Sequence, residues 1–342
     1  MRYDALIIGA GPGGLACAAK LAQDNVKVLV IDRKSVIGPK ACAGGITWNG
    51  LVPRVPDYLI EKSFPDQTII TRFQHICVKE KHPIIATVNR KKLGRFMASD
   101  AQKKGAEIAS SSLLESISQN SATLLSLSSQ KRYTVKFDYL IGADGSTSKV
   151  RKYLKIPTKH TGIGVNFQVE GSYEKMEWHL LSNYFHSGYG WIFPHKNSFS
   201  IGAYIPYGVF SGSALKNRTL RWAQESGIDL HHLKCSAGYI NFDYRGHHFD
   251  RIFLVGDAAG LASALTGEGI YPAIVSGEAV AKKIICPSED FPEMKRLIQQ
   301  QHRFKVLTAL SSKSKIFSSL FAEIGPLALR YRLINFKMLE MC

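Results

Sequence analysis

Short apolar runs alternate with helical patterns in the first part of the chain. Residues 5–8 form an unbroken apolar run, which is typical of a buried parallel strand, and a glycine-rich stretch follows at residues 9–14. Residues 15–23 have the alanine- and leucine-rich composition of a helix, and residues 26–31 predict a second strand. These elements predict a βαβ unit within about 30 residues.

The pattern changes twice further along the chain. A helix is predicted over residues 91–104, and short strands separated by polar turns follow over residues 107–137, before a buried strand at 138–142. Residues 161–244 alternate apolar and polar positions, with many aromatic residues and with Gly, Asn and Ser turns, which predicts a mostly antiparallel sheet. An apolar strand at residues 251–255 then returns to the first pattern.

Together these elements predict an α/β plus β fold. A Rossmann-type dinucleotide-binding domain is interrupted by an antiparallel-sheet domain that binds the substrate, and helices follow at the C-terminal side. We assign residues 1–70, 90–156 and 245–290 to the discontinuous dinucleotide-binding domain, 71–89 and 157–244 to the sheet domain, and 291–342 to a basic helical segment interrupted at Gly325-Pro326.

The charge of the chain is unusual, whereas its composition is not. The 342 residues are 45% hydrophobic and 21% charged, which excludes a disordered, collagen-like or coiled-coil protein. The formal net charge of +17 suits nucleic acid, an anionic membrane surface or an acidic substrate, or else serves solubility alone. Because no nucleic-acid recognition motif accompanies the charge, nucleic acid is not an expected partner.

Part of this charge lies in residues 295–342, which hold nine basic and two acidic residues. The bases are interleaved with apolar residues at helical spacings, namely Phe304, Leu307, Leu310, Ile316, Phe317, Leu320 and Phe321. This combination predicts either an interfacial helix on an anionic lipid surface or a helix that covers the domain and keeps a solvated outer face.

The expected location is the cytoplasm, with peripheral contact at the inner face of the membrane as an open alternative. No apolar run reaches the roughly 18 residues of a spanning helix, and residues 1–14 do not resemble a signal peptide. The six cysteines show no Cys-x-x-Cys spacing and no cluster with histidines, so neither a metal site nor a disulfide framework is predicted.

The glycine-rich stretch matches G-x-G-x-x-G at Gly9, Gly11 and Gly14, between a predicted strand and a helix. The first glycine permits a tight turn, the second lets the backbone approach a pyrophosphate, and the third lets helix pack on strand. Asp32 ends the second strand, where a carboxylate binds the hydroxyls of an adenosine ribose that lacks a 2′-phosphate. This motif leaves FAD and NAD open.

A second segment, residues 253–260, favours FAD. It predicts a buried strand, a turn and a helix, with Asp257 at the carboxyl end of the strand. Ligands of doubly wound sheets bind at this edge, so Asp257 can reach the middle of a cofactor whose pyrophosphate lies at Gly11. The ribityl chain of FAD offers hydroxyl groups there.

These motifs, in this order, resemble the FAD-dependent oxidoreductases of the p-hydroxybenzoate hydroxylase fold. Asp144-Gly145 and Gly256-Asp257 resemble the middle and late motifs of that family, and Arg90 resembles the arginine that contacts FAD in many members. Three further segments resemble its geranylgeranyl reductase branch: Lys-Ala-Cys-Ala-Gly-Gly at 40–45, Gly-Trp-Ile-Phe-Pro at 190–194 and Leu-Thr-Gly-Glu-Gly-Ile at 265–270. The resemblance implies FAD-dependent reduction of C=C bonds in an isoprenoid or polyprenyl lipid.

The resemblance and the motifs together give a set of site residues. The cofactor-binding candidates are Gly9, Gly11, Gly14, Asp32, Arg33, Arg90, Asp144, Gly256, Asp257, Gly267, Gly269 and Ile270. Cys42 is the catalytic candidate, since the resemblance puts it near the flavin ring; the alternative is a small buried apolar residue. Tyr189, Trp191 and Phe193 alternate along a strand and share one face, either as a wall for an apolar substrate or as ordinary core.

Two alternatives and the electron donor stay open at this point. The fold also suits an aromatic hydroxylase, and a membrane-associated flavoprotein that sequesters or modifies a lipid carrier with little turnover is a further class. Because no second G-x-G-x-x-G occurs, the electron donor is expected to be transiently bound NAD(P)H or another reduced carrier.

Overall fold

The computed structural model describes residues 1–341. The strands, in chain order, are β1 (Arg2–Ile8), β2 (Val28–Ile31), β3 (Gly45–Thr47), β4 (Ile60–Phe64), β5 (Asp66–Ile70), β6 (His75–Lys79), β7 (Ile85–Val88), β8 (Glu107–Ala109), β9 (Ser112–Ser118), β10 (Ser121–Ser126), β11 (Arg132–Gly142), β12 (Thr161–Glu170), β13 (Glu177–His179), β14 (Tyr189–Pro194), β15 (Ser198–Ile205), β16 (Ser236–Asn241), β17 (His248–Phe249) and β18 (Ile252–Leu254). The helices are α1 (Pro12–Gln23), α2 (Arg90–Lys103), α3 (Lys149–Tyr153), α4 (Ser182–Phe185), α5 (Gly212–Glu225), α6 (Gly256–Ala259), α7 (Ile270–Ile285), α8 (Pro292–Ser311) and α9 (Lys315–Arg330).

The first sheet has the strand order β17-β18-β11-β1-β2-β8, in which β18, β11, β1, β2 and β8 run parallel. Alternate residues of β1 enter two different apolar clusters, Leu6 and Ile8 on one face and Ala5 and Ile7 on the other. A sheet covered on both faces needs strands that are apolar throughout, which explains the unbroken run in the sequence. The predicted Rossmann-type α/β arrangement is confirmed.

The second sheet has the strand order β16-β12-β15-β14-β13-β5-β6, and its neighbours are antiparallel except for the parallel pair β13 and β5. The predicted antiparallel sheet is thus present. The prediction missed α5, which lies within the stretch assigned to strands. Its Leu215 and Trp222 pack with Ile192 and Ile201 of the sheet. The apolar residues of α5 that face the sheet are therefore spaced as in a helix and do not alternate as in a strand.

The strand pairing of residues 60–88 does not follow the domain boundaries that we predicted from the sequence. β5, which lies within residues 1–70, pairs with β13 and β6 in the second sheet. β7, which lies within residues 71–89, pairs with β3 and β4 in a small third sheet. The pairings of β5 with β13 and of β7 with β3 join segments far apart in the chain, and no local pattern reveals them.

The C-terminal helices depart from the sequence prediction in one place. α9 continues through Gly325-Pro326, where an interruption was expected, and the break lies instead at residues 312–314. Pro326 lacks a backbone N–H and so removes one hydrogen bond of α9, but its fixed φ is compatible with a helix. The helix continues through this residue. Ser314 caps the N-terminus of α9, because its hydroxyl accepts a hydrogen bond from the Phe317 N–H at 3.3 Å.

Candidate active site

A continuous cavity of about 1490 Å³ runs from the glycine turn after β1 to α9. Small-molecule sites are commonly about 300–1,000 Å³, so this space exceeds what one drug-sized ligand needs. The predicted site residues that line it are Gly9, Gly11, Asp32, Arg33, Cys42, Arg90, Asp144, Tyr189, Trp191, Phe193, Gly256, Asp257, Gly267, Gly269 and Ile270. The predicted cofactor residues and the predicted substrate residues therefore face one space.

The glycine turn has the backbone that its motif requires. Gly9 has a φ of +109°, and a Cβ there would lie 2.4 Å from the Ala143 carbonyl oxygen. Gly14 lies behind the turn on α1, and a Cβ there would lie 2.0 Å from the Gly9 oxygen. α1 begins at Pro12 with no side-chain cap and no acidic residue in its first turn. Its N-terminal N–H groups and positive potential thus suit a pyrophosphate.

Asp32 joins the turn to the second strand. Its two carboxylate oxygens accept hydrogen bonds from the Ala10 N–H at 2.9 Å and from the Lys34 N–H at 2.8 Å. Each carboxylate oxygen can accept a further bond, so ribose hydroxyls can still bind here. Arg33 is exposed beside it and faces the same cavity.

Arg90 supplies an independent test of the fit to FAD. Its Nε and Nη1 atoms are buried and have no hydrogen-bond partner among residues 1–341. A buried charged donor without a partner is unfavourable, and Arg90 lines the cavity at the first turn of α2. The guanidinium is therefore poised for an anionic group in the cavity, and these residues fit FAD.

Asp144 is placed to hold its own loop. Its Oδ2 accepts hydrogen bonds from the Lys149 N–H at 2.6 Å and the Val150 N–H at 3.4 Å, at the start of α3. Burial raises the pKa of Asp144. Its Oδ1 is buried with no partner among the described residues, so one acceptor of this cavity-lining carboxyl is open to the ligand.

Asp257 lines the cavity and follows β18, at the carboxyl end of the strand as predicted from the sequence. Its Oδ2 accepts hydrogen bonds from Lys40 Nζ at 3.2 Å and Ser146 Oγ at 3.0 Å. A Cβ on Gly269 would lie 3.2 Å from Asp257 Oδ1, so a glycine at 269 lets the loop before α7 approach the carboxylate. Lys40 and Ser146 were not among the predicted site residues.

The loop over residues 263–269 leads into α7 and is held against the second sheet. The Tyr189 hydroxyl donates to the Thr266 oxygen at 2.5 Å, and the Tyr204 hydroxyl donates to the Ala264 oxygen at 2.8 Å. α7 begins at Ile270 with no side-chain cap and no acidic residue in its first turn. Its positive N-terminal end therefore faces the cavity between the cofactor motifs and the sheet.

Cys42 belongs to a segment that the second sheet holds in place. Its Sγ accepts a hydrogen bond from the Gly44 N–H at 3.4 Å. The intervening Ala43 oxygen accepts bonds from His195 Nε2 at 3.0 Å and Ser200 Oγ at 2.9 Å. Burial raises the pKa of Tyr189, and the nearby Cys42 raises it further, so the thiol and the phenol are close neighbours.

The predicted aromatic face is extended by a neighbouring strand. The rings of Tyr189, Trp191 and Phe193 project from β14 into the cavity. Trp178 of β13 joins them, with ring centroids 4.8 Å from Phe193 and 5.3 Å from Tyr189. The alternate residue Ile192 packs on the opposite face of the sheet. Trp178 escaped the sequence prediction because the pairing of β13 with β14 is not visible locally.

Glu268 was also missed, although it lies within the quoted segment 265–270. It lines the cavity, and the Thr47 hydroxyl donates to its Oε1 at 3.4 Å. Burial, followed by the negative charge of Glu340, raises the pKa of Glu268 to about 8. Glu340 is itself 4% exposed and lines the same cavity.

The far end of the cavity has an apolar mouth, formed by the end of α8 and by α9. Its residues line the cavity and are each at least 38% exposed: Leu307, Leu310, Phe317, Leu320, Phe321 and Ile324. Polar contacts fix α9 on its other side, including Thr71 Oγ1 to Glu323 at 2.7 Å and Ser182 Oγ to Ser319 Oγ at 2.7 Å. Among the apolar residues that the sequence places at helical spacings in this segment, Phe304 is buried, with 3% of its surface exposed, whereas Ile316 is 80% exposed.

Within residues 1–341, no helix is both long enough and apolar enough to cross a bilayer.

Comparison with known proteins gives the family. A family model described as an FAD binding domain matches residues 2–291. Digeranylgeranylglycerophospholipid reductase 3 of Methanosphaera stadtmanae is 30% identical over 327 residues, covering 86% of this chain and 80% of its own length. Geranylgeranyl diphosphate reductase of Rhodobacter capsulatus is 28% identical, covering 82% and 75%.

A solved structure agrees with the fold. The geranylgeranyl bacteriochlorophyll reductase-like protein of Thermoplasma acidophilum superposes with a TM-score of 0.75 at 19% identity, covering 100% of this chain and 99% of that one. The chain belongs to the FAD-binding domain family and, within it, to the geranylgeranyl reductase group of FAD-dependent oxidoreductases.

Proposed function

We propose that this flavoprotein reduces C=C bonds of a lipid that carries an isoprenoid chain. The observation that carries the proposal is the continuity of the cavity, from the glycine turn through the aromatic face to the apolar mouth. A substrate that is long and apolar can enter at the mouth and reach the cofactor end without crossing water. The names of the relatives point to the same substrate class.

The cofactor-binding roles follow the order of the motifs along the cavity. Asp32 would hold the adenosine ribose, the N-terminus of α1 and Arg90 the pyrophosphate, and Asp257 the ribityl chain. The flavin ring would lie between Cys42 and the loop that ends at Ile270. Reduced FAD supplies a hydride, so the protein has to orient the alkene, exclude water and provide a proton.

The aromatic face suits the apolar partner of this reaction. Tyr189, Trp191 and Phe193, with Trp178, offer ring surfaces along one side of the cavity, and isoprenoid methyl and methylene groups gain about 25 cal/mol per Å² of apolar surface removed from water. The hydroxyl of Tyr189 is already engaged by the Thr266 oxygen. The face therefore presents rings and no free polar group of Tyr189 to the chain.

The apolar mouth supports docking on an anionic membrane at its cytoplasmic face. Ile316, Phe317 and Leu320 expose large apolar side chains on α9, and Lys313 and Lys315 lie beside them at its start. A basic helix with an exposed apolar face binds the boundary of headgroups and acyl chains. Docking there would place the mouth at the layer in which an isoprenoid lipid resides, and this peripheral location is part of the proposal.

The electron donor belongs to the proposal as NAD(P)H or another reduced carrier. The described residues contain one glycine turn of the dinucleotide type, at Gly9–Gly14 in the first sheet, and FAD is assigned to it. A transiently bound donor that reduces FAD between turnovers is consistent with this arrangement.

A spectroscopic experiment separates this function from its alternatives. FAD-loaded protein is reduced with dithionite in the absence of oxygen and mixed with vesicles that contain a geranylgeranyl lipid. Lipid-dependent reoxidation of the flavin supports the proposal. Reoxidation that needs oxygen and not the lipid, together with an oxygenated product when NAD(P)H, oxygen and an aromatic substrate are supplied, would support an aromatic hydroxylase instead. Lipid binding without reoxidation would support a protein that sequesters a lipid carrier.

A further inference from the structure

We propose that the carboxyl group of Glu268 delivers the proton that completes reduction of the C=C bond, and that Glu340 is the positioning residue that keeps this carboxyl protonated. The inference rests on the proposed function and names the acid that it requires. Glu268 would thus be a catalytic residue at the wall of the cavity, distinct from Cys42.

The position of Glu268 is fixed by its loop. Gly267, at a φ of +67°, and Gly269 flank it, directly before the N-terminus of α7. The backbone is held on both sides, because the Ser263 N–H donates to the Glu268 oxygen at 2.8 Å and the Glu268 N–H donates to Thr266 Oγ1 at 3.3 Å. The side chain faces the cavity that the aromatic face also lines.

Two carboxyl groups from distant parts of the chain line the cavity here, and the N–H of Met341, which follows Glu340 in the chain, donates a hydrogen bond to Glu268. Glu340 follows a short helical turn at Phe336–Leu339, and its Oε2 accepts a hydrogen bond from Asn49 Nδ2 at 3.5 Å. Two neighbouring carboxyls in a poorly solvated space resist carrying two negative charges. The proton is therefore retained on the pair near neutral pH, and Glu268, which lines the cavity and contacts Thr47, is the member we assign as donor.

The charges around Glu268 do not cancel this effect. Hydrogen bonds from the Met341 N–H and from Thr47 lower the pKa of Glu268, but burial and Glu340 outweigh them. From β14, Tyr189 faces Glu268 with a neutral phenol, and Cys42 lies beside that phenol. The cavity cation Lys40 is paired with Asp257 at 3.2 Å, so its charge is engaged away from the Glu268 carboxyl.

The other acids of the cavity are less suited to the task. A general acid acts best when its pKa lies near the working pH. Tyr189 and Tyr204 have pKa values raised by burial, and their protons are held by the carbonyl oxygens of the loop. His186 has a pKa lowered by burial and bonds Ser318 through Nδ1 at 3.0 Å. Glu268 is the cavity acid whose pKa of about 8 holds a transferable proton at neutral pH.

The step balances in atoms and electrons. One alkene carbon gains a hydride with its electron pair from reduced FAD, which is oxidised, and the other carbon gains the proton of Glu268. The π bond is lost, two C–H bonds form, and Glu268 is left as a carboxylate. That carboxylate regains a proton from water before the next turnover, and the electron donor of the proposed function reduces FAD again.

Glu268→Gln tests the acid with an amide of nearly the same shape. In the absence of oxygen, lipid-dependent reoxidation of reduced flavin should slow by about 10²–10⁴-fold, which is the usual contribution of a positioned general acid. FAD affinity and reduction by dithionite should stay as in the wild type. Glu278→Gln, on α7 in an ion pair with Arg54 at 3.6 Å, is the matched control and should retain the wild-type rate.

A second readout does not depend on turnover. Infrared difference spectra of the protein without substrate should show a protonated carboxylic acid that titrates with a pKa of about 8 and disappears in Glu268→Gln. Glu340→Gln should shift that titration to lower pH and move the alkaline fall of the single-turnover rate with it. A merely structural role of Glu340 would leave both pH profiles in place.

The outcomes separate the two proposals. A wild-type rate in Glu268→Gln, or no titrating carboxylic acid, overturns the assignment of Glu268 and leaves the proposed function standing. Absence of lipid-dependent reoxidation in the wild-type protein overturns both. Glu268→Asp, which keeps an acid on a shorter side chain, should recover part of the rate that Glu268→Gln loses.

Discussion

His195 Nε2 donates a hydrogen bond to the Ala43 oxygen at 3.0 Å, and this bond ties the Cys42 segment to the strand that carries the aromatic face. The other ring nitrogen, Nδ1, is 2.7 Å from Glu61 Oε2. His195 therefore links the Cys42 segment to Glu61 and, together with Ser200, holds that segment against the second sheet.

Replacing His195 should loosen this connection. His195→Ala leaves the Glu61 carboxylate partly buried without its imidazole partner, and an unsatisfied buried polar group costs about 1–3 kcal/mol. We expect the free energy of unfolding in urea to fall by about that amount and the visible spectrum of bound flavin to change, because the segment beside the ring is less ordered. His75→Ala, at an exposed position, is the control. An unchanged flavin spectrum in folded His195→Ala would contradict the coupling.

Removing the charge of Arg90 should weaken FAD binding without harming the apoprotein. Its unpartnered nitrogens make no contact that folding needs, while a charged hydrogen bond to a phosphate contributes about 1.5–3 kcal/mol. Arg90→Met should therefore raise the Kd for FAD by roughly 10- to 150-fold, with an unchanged or increased unfolding free energy of the apoprotein. Fluorescence titration with FAD measures the first quantity. Lys91→Met, one residue along and exposed, should bind FAD normally; equal losses in both variants would argue against a specific contact.

The free energy of unfolding should depend on pH because of Glu268. The folded-state pKa of about 8 lies above the ordinary value of 4.5, so between these values the folded protein holds a proton that the unfolded chain has released. The stabilisation relative to the unfolded chain is present at low pH and is lost as the pH rises through about 8, at up to ~1.4 kcal/mol per pH unit.

Urea unfolding of the wild type and of Glu268→Gln across this pH range measures the effect. The difference in unfolding free energy should grow in favour of the variant as the pH rises. Parallel pH profiles of the two proteins would show that Glu268 titrates normally.

The exposed face of α9 should bind membranes. Ile316→Ser removes an 80% exposed side chain whose burial in a lipid interface is worth about 1.5–3 kcal/mol, so partitioning onto anionic vesicles should fall roughly 10-fold or more. The fold should not change, because this side chain packs little within the protein. Leu127→Ser, at an exposed apolar residue directly after β10, should leave partitioning intact. Binding that is insensitive to salt, or equal to neutral vesicles, would contradict an electrostatic and apolar attachment.

Local motifs were predictable from the sequence, and contacts across the fold were not. Gly9, Gly14 and Asp32 lie in one βαβ unit, so their spacing alone sets their geometry, and Asp257 follows a buried strand whose carboxyl end is dictated by the parallel sheet. Trp178 and Glu340 reach the cavity through strand pairing and through the path of the C-terminal residues, which local patterns do not encode. α5 was missed because the helical spacing of its apolar residues, such as Leu215 and Trp222, was not separated from the alternating pattern of the surrounding strands.

The mass of the lipid product tests the central claim most directly. FAD-loaded protein is reduced with dithionite in the absence of oxygen and mixed with vesicles of a geranylgeranyl lipid. After a single turnover the lipid is extracted and its mass is measured by mass spectrometry. We predict a gain of one pair of hydrogens for each flavin oxidised, and both hydrogens of the pair should be deuterium when reduction and turnover take place in D₂O, because reduced flavin and the Glu268 carboxyl both take their hydrogens from solvent. An unchanged lipid mass, or a gain of oxygen, would contradict the account.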